Sequence, residues 1–164
     1  MSGHPAKNHV RPAVAADIPA ILDLLLQVNM VHHEGRPDLF KGPATKYNEE
    51  ELKAILQDKN TPVFVCEDED KRILGHAFCI FQFTKETDLL YERKTLYIDD
   101  ICVDEAARRR NAATDLYHHV LSFAKEHDCY NVTLNVWDCN PGAFAFYRAM
   151  GMSVQKTCME QILN

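Results

Sequence analysis

Three short stretches of this 164-residue chain hold residue types at spacings that could do chemistry. The first is Arg108-Arg-Arg-Asn-Ala-Ala-Thr114, which follows a strand-like run and opens a helical one. A helix N-terminus presents free N–H groups and the positive end of a dipole, so it suits a phosphate or pyrophosphate. Arg108, Arg109 and Arg110 add fixed charge, although a solvated basic turn would have the same composition. No Gly-x-Gly-x-x-Gly is present, so the stretch is not a dinucleotide fingerprint. The second is Asp99-Asp100, two carboxylates on a strand expected to be buried, where such groups are unusual. Strict alternation would send them to opposite faces and leave at most one for any given substrate. Pairing with arginine is the alternative use for both. The third is Asn140-Pro-Gly-Ala-Phe-Ala-Phe-Tyr147-Arg-Ala-Met-Gly151, where helical spacing sets Asn140, Ala143 and Tyr147 along one stripe. A tyrosine with an ordinary pKa of about 10 is protonated at neutral pH and can give a proton to a departing anion. Packing in a core would select the same residue.

Other reactive side chains organise less well. The six cysteines at 66, 79, 102, 129, 139 and 158 include no Cys-x-x-Cys pair, which leaves zinc and dithiol frameworks without support. Most lie in apolar runs, where a reduced thiol behaves as a small hydrophobe, and this points to a reducing, cytoplasmic setting. His32-His33 and His118-His119 have no metalloprotease-like spacing. Adjacent helical residues diverge by about 100°, so these read as surface histidines, and no metal is expected.

The elements that must position these groups follow from periodicity. Val10-Arg-Pro-Ala-Val14 suits a short strand, and Asp17 is placed to cap a helix with Ile18, Ile21, Leu22 and Leu25 on one face. From Asn29 to Tyr47 the pattern fails, which predicts a long connection of the kind that is often functional. Asn48 to Asp58 suits a short helix. Strands are expected at Pro62–Glu67, Ile73–Thr84, Thr95–Val103 and Asn131–Trp137, with helices from the Arg108 turn through Ala124 and from Asn140 to Gly151. Ser153–Ile162 would close the sheet. The order β, α, α, β, β, β, α, β, α, β predicts an α/β (α+β) fold with a mixed, mostly antiparallel central sheet and helices on both faces. One domain over residues 1–164 is expected, with 1–8 flexible.

Composition narrows the function. A hydrophobic fraction of 46% with 26% charged residues excludes a disordered or fibrous chain. A net charge of −6 argues against a nucleic-acid partner, which calls for a basic excess. No apolar run reaches the ~20 residues of a membrane span, and Met1–Arg11 lacks the apolar core of a signal peptide.

In this order, Val10-Arg-Pro-Ala, Leu74-Gly-His-Ala-Phe78, Tyr97-Ile-Asp-Asp-Ile-Cys-Val103, the Arg108 turn and Asn140-x-x-Ala143-x-x-Phe146-Tyr147-x-x-x-Gly151 resemble the GCN5-related N-acetyltransferase family. The resemblance implies the acyl-CoA N-acyltransferase fold, with acetyl-CoA as co-substrate lying where the strands ending at Val103 and Trp137 splay apart. It implies that the backbone of Ile101, Cys102 and Val103 holds the pantetheine. Arg108, Arg109, Arg110, Asn111, Ala112, Ala113 and Thr114 would cradle the pyrophosphate, and Asn140 and Ala143 would help to anchor the cofactor. Tyr147 would approach its sulfur as the proton donor. Asp99 stands where related diamine acetyltransferases carry a carboxylate and is the favoured base or amine anchor, with Glu34 a further candidate for the acceptor. Direct transfer is the family's usual path, which disfavours an acetyl-Cys102 route. The family's turn commonly carries glycines where this chain has Arg109, Asn111 and Ala113. That departure motivates the alternative of a non-catalytic acyl-CoA-binding or sensing module. The expected acceptor is a primary amine of a small molecule or peptide. Leu96-Tyr-Ile-Asp-Asp is similar to diamine and polyamine acetyltransferases, and homodimers are common in families of this kind.

Overall fold

The structure is a computed structural model and is described for residues 7–163. Its strands are β1 (His9–Pro12), β2 (Val63–Glu67), β3 (Ile73–Thr84), β4 (Arg93–Val103) and β5 (Asn131–Leu134); its helices are α1 (Ile18–Gly35), α2 (Glu49–Gln57), α3 (Ala112–Glu126) and α4 (Pro141–Ala149). The five strands form one sheet in the order β1-β2-β3-β4-β5, antiparallel except for the parallel β4–β5 pair. This is the mixed, mostly antiparallel sheet that the sequence predicts.

Alternation along the strands builds a core on each face. Phe64, Ala77, Cys79, Leu96 and Ile98 pack against Leu116, Tyr117, Val120 and Ala124 of α3. Their neighbours Val63, Val65 and Phe78 pack instead against Ile18, Ile21 and Leu25 of α1 and Leu52 of α2. Each fully buried aliphatic side chain here stabilises the fold by about 1.5–3 kcal/mol relative to exposure. Gly75 lets β3 lie close to its neighbours, since a Cβ there would stand 2.6 Å from the Cys102 carbonyl oxygen.

Several expectations change. α1 runs on to Gly35, because Met30 to Glu34 contain no residue that breaks a helix, so the irregular connection is residues 36–48. Asp17 does not cap α1: its carboxylate turns back to accept from the Val14 N–H (2.8 Å) and to pair with Arg11 (2.8 Å). Asn48 does cap α2, reciprocally with Glu51. β5 stops at Leu134 rather than Trp137. The closing strand is absent, and residues 153–163 carry no regular structure. Alternation there would put Lys156 and Glu160 on the same face as Val154, Cys158 and Ile162, so neither face could be buried cleanly. The expected flexibility of residues 1–8 falls mostly outside the described residues, but Asn8 is fixed, donating to the Arg110 carbonyl and to Asp115. His119 is half-buried, its ring 4.6 Å from that of Phe64. No described helix is long and apolar enough to cross a membrane.

Candidate active site

β4 is the strand on which the site is built. It pairs with β5 only from Thr95–Asn131 to Ile98–Leu134, whereas its ladder with β3 continues to Val103. Residues 99–103 therefore present an unpaired edge on the β5 side, and the chain beyond Leu134 leaves the sheet toward α4. The strands part where the resemblance placed the splay. Ile101 and Val103 pack against the α3-side core, leaving their backbone on this edge. Cys102 points the other way: its thiol donates to the Leu24 carbonyl of α1 (3.3 Å), and burial pushes its pKa up to about 12. A buried, protonated thiol is not a nucleophile.

Past Val103 the chain turns into α3. Arg109 (φ 69°) and Asn111 (φ 60°) both adopt the left-handed conformation that glycine accepts most easily. Two of the three positions where glycine is usual thus keep a glycine-like backbone, while Ala113 lies in the first helical turn with negative φ. Asn111 precedes α3 without a side-chain cap, so the N–H groups of Ala112, Ala113 and Thr114 have no partner among the described residues. A cavity of about 240 Å³ opens over them, lined by Val103, Ala107, Arg108, Arg109 and Asn111 to Thr114. The three arginines divide. Arg109 forms no ion pair among the described residues, Arg108 has only a loose contact with Glu105 (3.6 Å), and Arg110 turns away to Asp68 (3.3 Å). The resulting cradle of free amides, a fifteen-residue helix dipole and an unpaired guanidinium fits a pyrophosphate.

α4 packs beside α3 through Phe146 and Tyr147, whose rings approach that of Tyr117. The Asn140 carboxamide oxygen accepts from the Ala143 N–H (3.2 Å), so this side chain caps the helix. One helical turn further on, the half-buried Tyr147 ring lies 6.2 Å from Tyr117 and 5.1 Å from Phe146. Burial, reinforced by the charge of Asp100, pushes the Tyr147 hydroxyl above the ordinary tyrosine range.

The two carboxylates do not diverge as strict alternation requires. Phe78 pairs with Asp100 and Cys79 with Ile98, which leaves Asp99 as the extra residue of a β-bulge. Asp100 accepts from Nε2 of the fully buried His76 (2.6 Å), while Asp99 Oδ2 accepts from Lys46 Nζ (2.6 Å) and the Tyr47 hydroxyl (3.2 Å). His76 meets Phe78 edge-on and Tyr47 stacks on Phe78, so all of these groups lie on the α1 side of β3. Nδ1 of His76 has no partner among the described residues. The 36–48 connection links α1 to the segment after β5: Phe40 packs on His32 of α1 (5.0 Å) and edge-on against Trp137 (5.3 Å).

Of the residues singled out in the sequence, the structure places Asp99, Ile101 and Val103 on the open edge of β4 and the Arg108–Thr114 turn after it, while Tyr147 on α4 packs on the same α3-side core as Ile101 and Val103. Glu34 lies elsewhere, exposed on the last turn of α1 in a shallow groove with Gln27, Met30 and Glu105 that includes neither Asp99 nor Asp100. Four further residues enter the site without having been assigned to it: Lys46, Tyr47, His76 and Asp100. Asp100 was visible as half of a carboxylate pair, and His76 as the one histidine in an apolar strand. Nothing in the aperiodic stretch around Lys46 and Tyr47 marked them. No three His, Cys, Asp or Glu side chains among the described residues are grouped to hold a metal ion.

The model of the acetyltransferase (GNAT) family matches residues 28–152, which is most of the chain. Among solved structures, a mutant of the BH1408 protein from Bacillus halodurans is 31% identical, with a TM-score of 0.91 over 95% of this chain and 99% of that one. Two more distant structures share the fold. A glucosamine-6-phosphate N-acetyltransferase from Arabidopsis thaliana is 19% identical (TM-score 0.69, 96% of this chain and 99% of that one). An aminoglycoside acetyltransferase from an uncultured soil metagenomic sample, in complex with sisomicin, is also 19% identical (TM-score 0.71, 96% and 95%). A search of curated proteins finds no match.

Proposed function

The chain belongs to the acetyltransferase (GNAT) family, and from that premise we propose that it moves an acetyl group directly from acetyl-CoA to a primary amine of a small molecule or peptide. The observation that carries this reading is the continuity of one unit: an open β4 edge, bulged carboxylates at its start and an uncapped helix N-terminus with an unpaired arginine at its end. The turn would hold the pyrophosphate through its free N–H groups and Arg109, and the edge from Ile101 to Val103 would hold the pantetheine. When bound, acetyl-CoA supplies an activated thioester.

The chain's own groups then manage protons and charge. An acceptor amine arrives mostly as ammonium at neutral pH and must lose a proton before it can attack. Asp99 is the anchor and proton acceptor: it stands at the bulge and already accepts from a primary ammonium, that of Lys46. Tyr147, kept protonated by burial, holds a proton at its hydroxyl for the departing thiolate. A protonated Cys102 facing Leu24 supports direct transfer over a covalent cysteine route. The acceptor class we favour is a cationic amine, diamines and polyamines included, because Asp99 and Asp100 both line one side of the bulge.

A panel of amines (a diamine, a polyamine, an aminoglycoside, a lysine peptide and a peptide with a free N-terminus) scored by thiol release tests this reading. Turnover on at least one acceptor, lost in Tyr147→Phe, is expected. Binding of acetyl-CoA with no turnover on any acceptor would favour an acyl-CoA-binding module instead.

A further inference from the structure

Lys46 occupies the place that the proposed mechanism gives to a substrate. Its ammonium sits 2.6 Å from Asp99 Oδ2, and the neighbouring Tyr47 hydroxyl bonds to the same oxygen. The contact is set by packing, since Tyr47 stacks on Phe78 of β3 at 5.8 Å between ring centroids. It also joins the 36–48 connection to the bulge of β4, elements far apart in sequence. The ammonium is not confined there: the Lys46 side chain is 51% exposed, against 13% for Asp99. Desolvation opposes its charge, but the Asp99 carboxylate outweighs this and holds Lys46 as ammonium. It is thus a primary amine, protonated and paired in the manner of an acceptor awaiting deprotonation.

We propose that Lys46 is a built-in acceptor: the chain acetylates its own Lys46, and until it does so the Lys46 ammonium competes with outside amines for Asp99. The proposal rests on the acetyltransferase reading above. In the step, the Nζ–C bond to the acetyl carbonyl forms and the C–S bond of acetyl-CoA breaks. The ammonium gives up two protons, one reaching solvent through Asp99 and the other ending on the CoA thiol, with Tyr147 as its relay. The products are a neutral acetyl-lysine and free CoA. With its charge gone, Lys46 no longer pairs with Asp99, and the carboxylate is released to an external cation.

The internal controls are Lys53 and Lys71. Both contact carboxylates at comparable distances (2.9 Å to Glu49 and 2.9 Å to Glu67) but have no contact with Asp99. The full chain is incubated with acetyl-CoA, and each lysine is followed by peptide mass spectrometry, with acetyl-CoA binding measured separately by thermal shift. Lys46 should gain one acetyl group at least about tenfold faster than Lys53 or Lys71, as a preoriented intramolecular amine would. The rate should not depend on protein concentration, and Asp99→Asn should abolish the preference while keeping the thermal shift. Without acetyl-CoA, Lys46→Gln should bind 1,4-diaminobutane more tightly than the parent chain by calorimetry. Equal labelling of the three lysines, or labelling that scales with protein concentration, overturns the inference. A thermal shift without Lys46 acetylation also overturns it but leaves the acetyltransferase reading standing. Loss of the thermal shift itself removes both.

Discussion

The turn at Arg108–Thr114 and the bulge at Asp99–Asp100 belong to one strand-to-helix unit, yet they prepare for a ligand in opposite ways. The turn works through backbone. Arg109 and Asn111 hold left-handed conformations that cost a non-glycine residue about 1–2 kcal/mol each, and in return the first amides of α3 stay free. The bulge works through side chains, and those are already engaged: Asp99 with Lys46 and Tyr47, Asp100 with His76. The proposed pyrophosphate end is thus formed and open, and the proposed amine end is formed and self-occupied. Magnitudes decide how firmly. A half-exposed ion pair such as Lys46–Asp99 contributes only about 0–1 kcal/mol. An incoming amine can therefore displace Lys46 at small cost, whereas flattening the turn would rebuild the entry to α3.

If the two ends are independent, substitutions should separate them. The largest effect is expected from Tyr147→Phe, which removes the hydroxyl proposed to protonate the departing thiolate. Turnover should fall by about 10²-fold or more while acetyl-CoA binding is unchanged, as steady-state kinetics and a thermal shift would show. Asp99→Asn should also lower turnover, roughly tenfold to hundredfold, with a raised KM for the amine and none for acetyl-CoA. At the other end, Asn111→Val places a β-branched residue at positive φ, so acetyl-CoA affinity should drop about tenfold by calorimetry. Asn111→Gly, which fits the same conformation, should leave affinity equal or better. An effect of Asn111→Val on amine KM would break the comparison.

The smallest effect concerns three buried thiols on β2, β3 and β4, of which Cys102 lies between the two ends. Burial raises Cys66, Cys79 and Cys102 to about 12. Because the folded values lie above the unfolded value of about 8.5, these thiols stabilise the fold fully below that pH. Their contribution is lost as pH rises from about 8.5 toward 12, since the unfolded chain then binds fewer protons than the folded one. The melting temperature should decline over the lower part of that window. A thiol reagent at neutral pH should label the exposed Cys139 and Cys158 and spare Cys102 until the chain unfolds.

The elements β4, α3 and α4 were legible in the sequence, because each is local: an alternating strand, a helix start, a capped helix. The sequence misjudged what depends on one added residue or on distant contacts. The bulge turned two carboxylates expected on opposite faces toward one side, because period-two alternation fails wherever a strand gains a residue. Lys46 and Tyr47 reach Asp99 from a stretch without periodicity, and no pattern in that stretch encodes where it folds. Glu34 was placed in a loop because the helical pattern weakens after Asn29, yet α1 continues through it. The final strand failed for a reason the sequence did contain, since Lys156 and Glu160 interrupt the apolar face of Ser153–Ile162.

The central claim is that the turn is ready to bind without its glycines, and thermal unfolding with excess acetyl-CoA, beside an adenine dinucleotide control, tests it most directly. At about 100 times the dissociation constant, binding should add about 2.7 kcal/mol of stability and move the transition upward for acetyl-CoA alone. No shift at millimolar acetyl-CoA, or an equal shift with the dinucleotide, would contradict it.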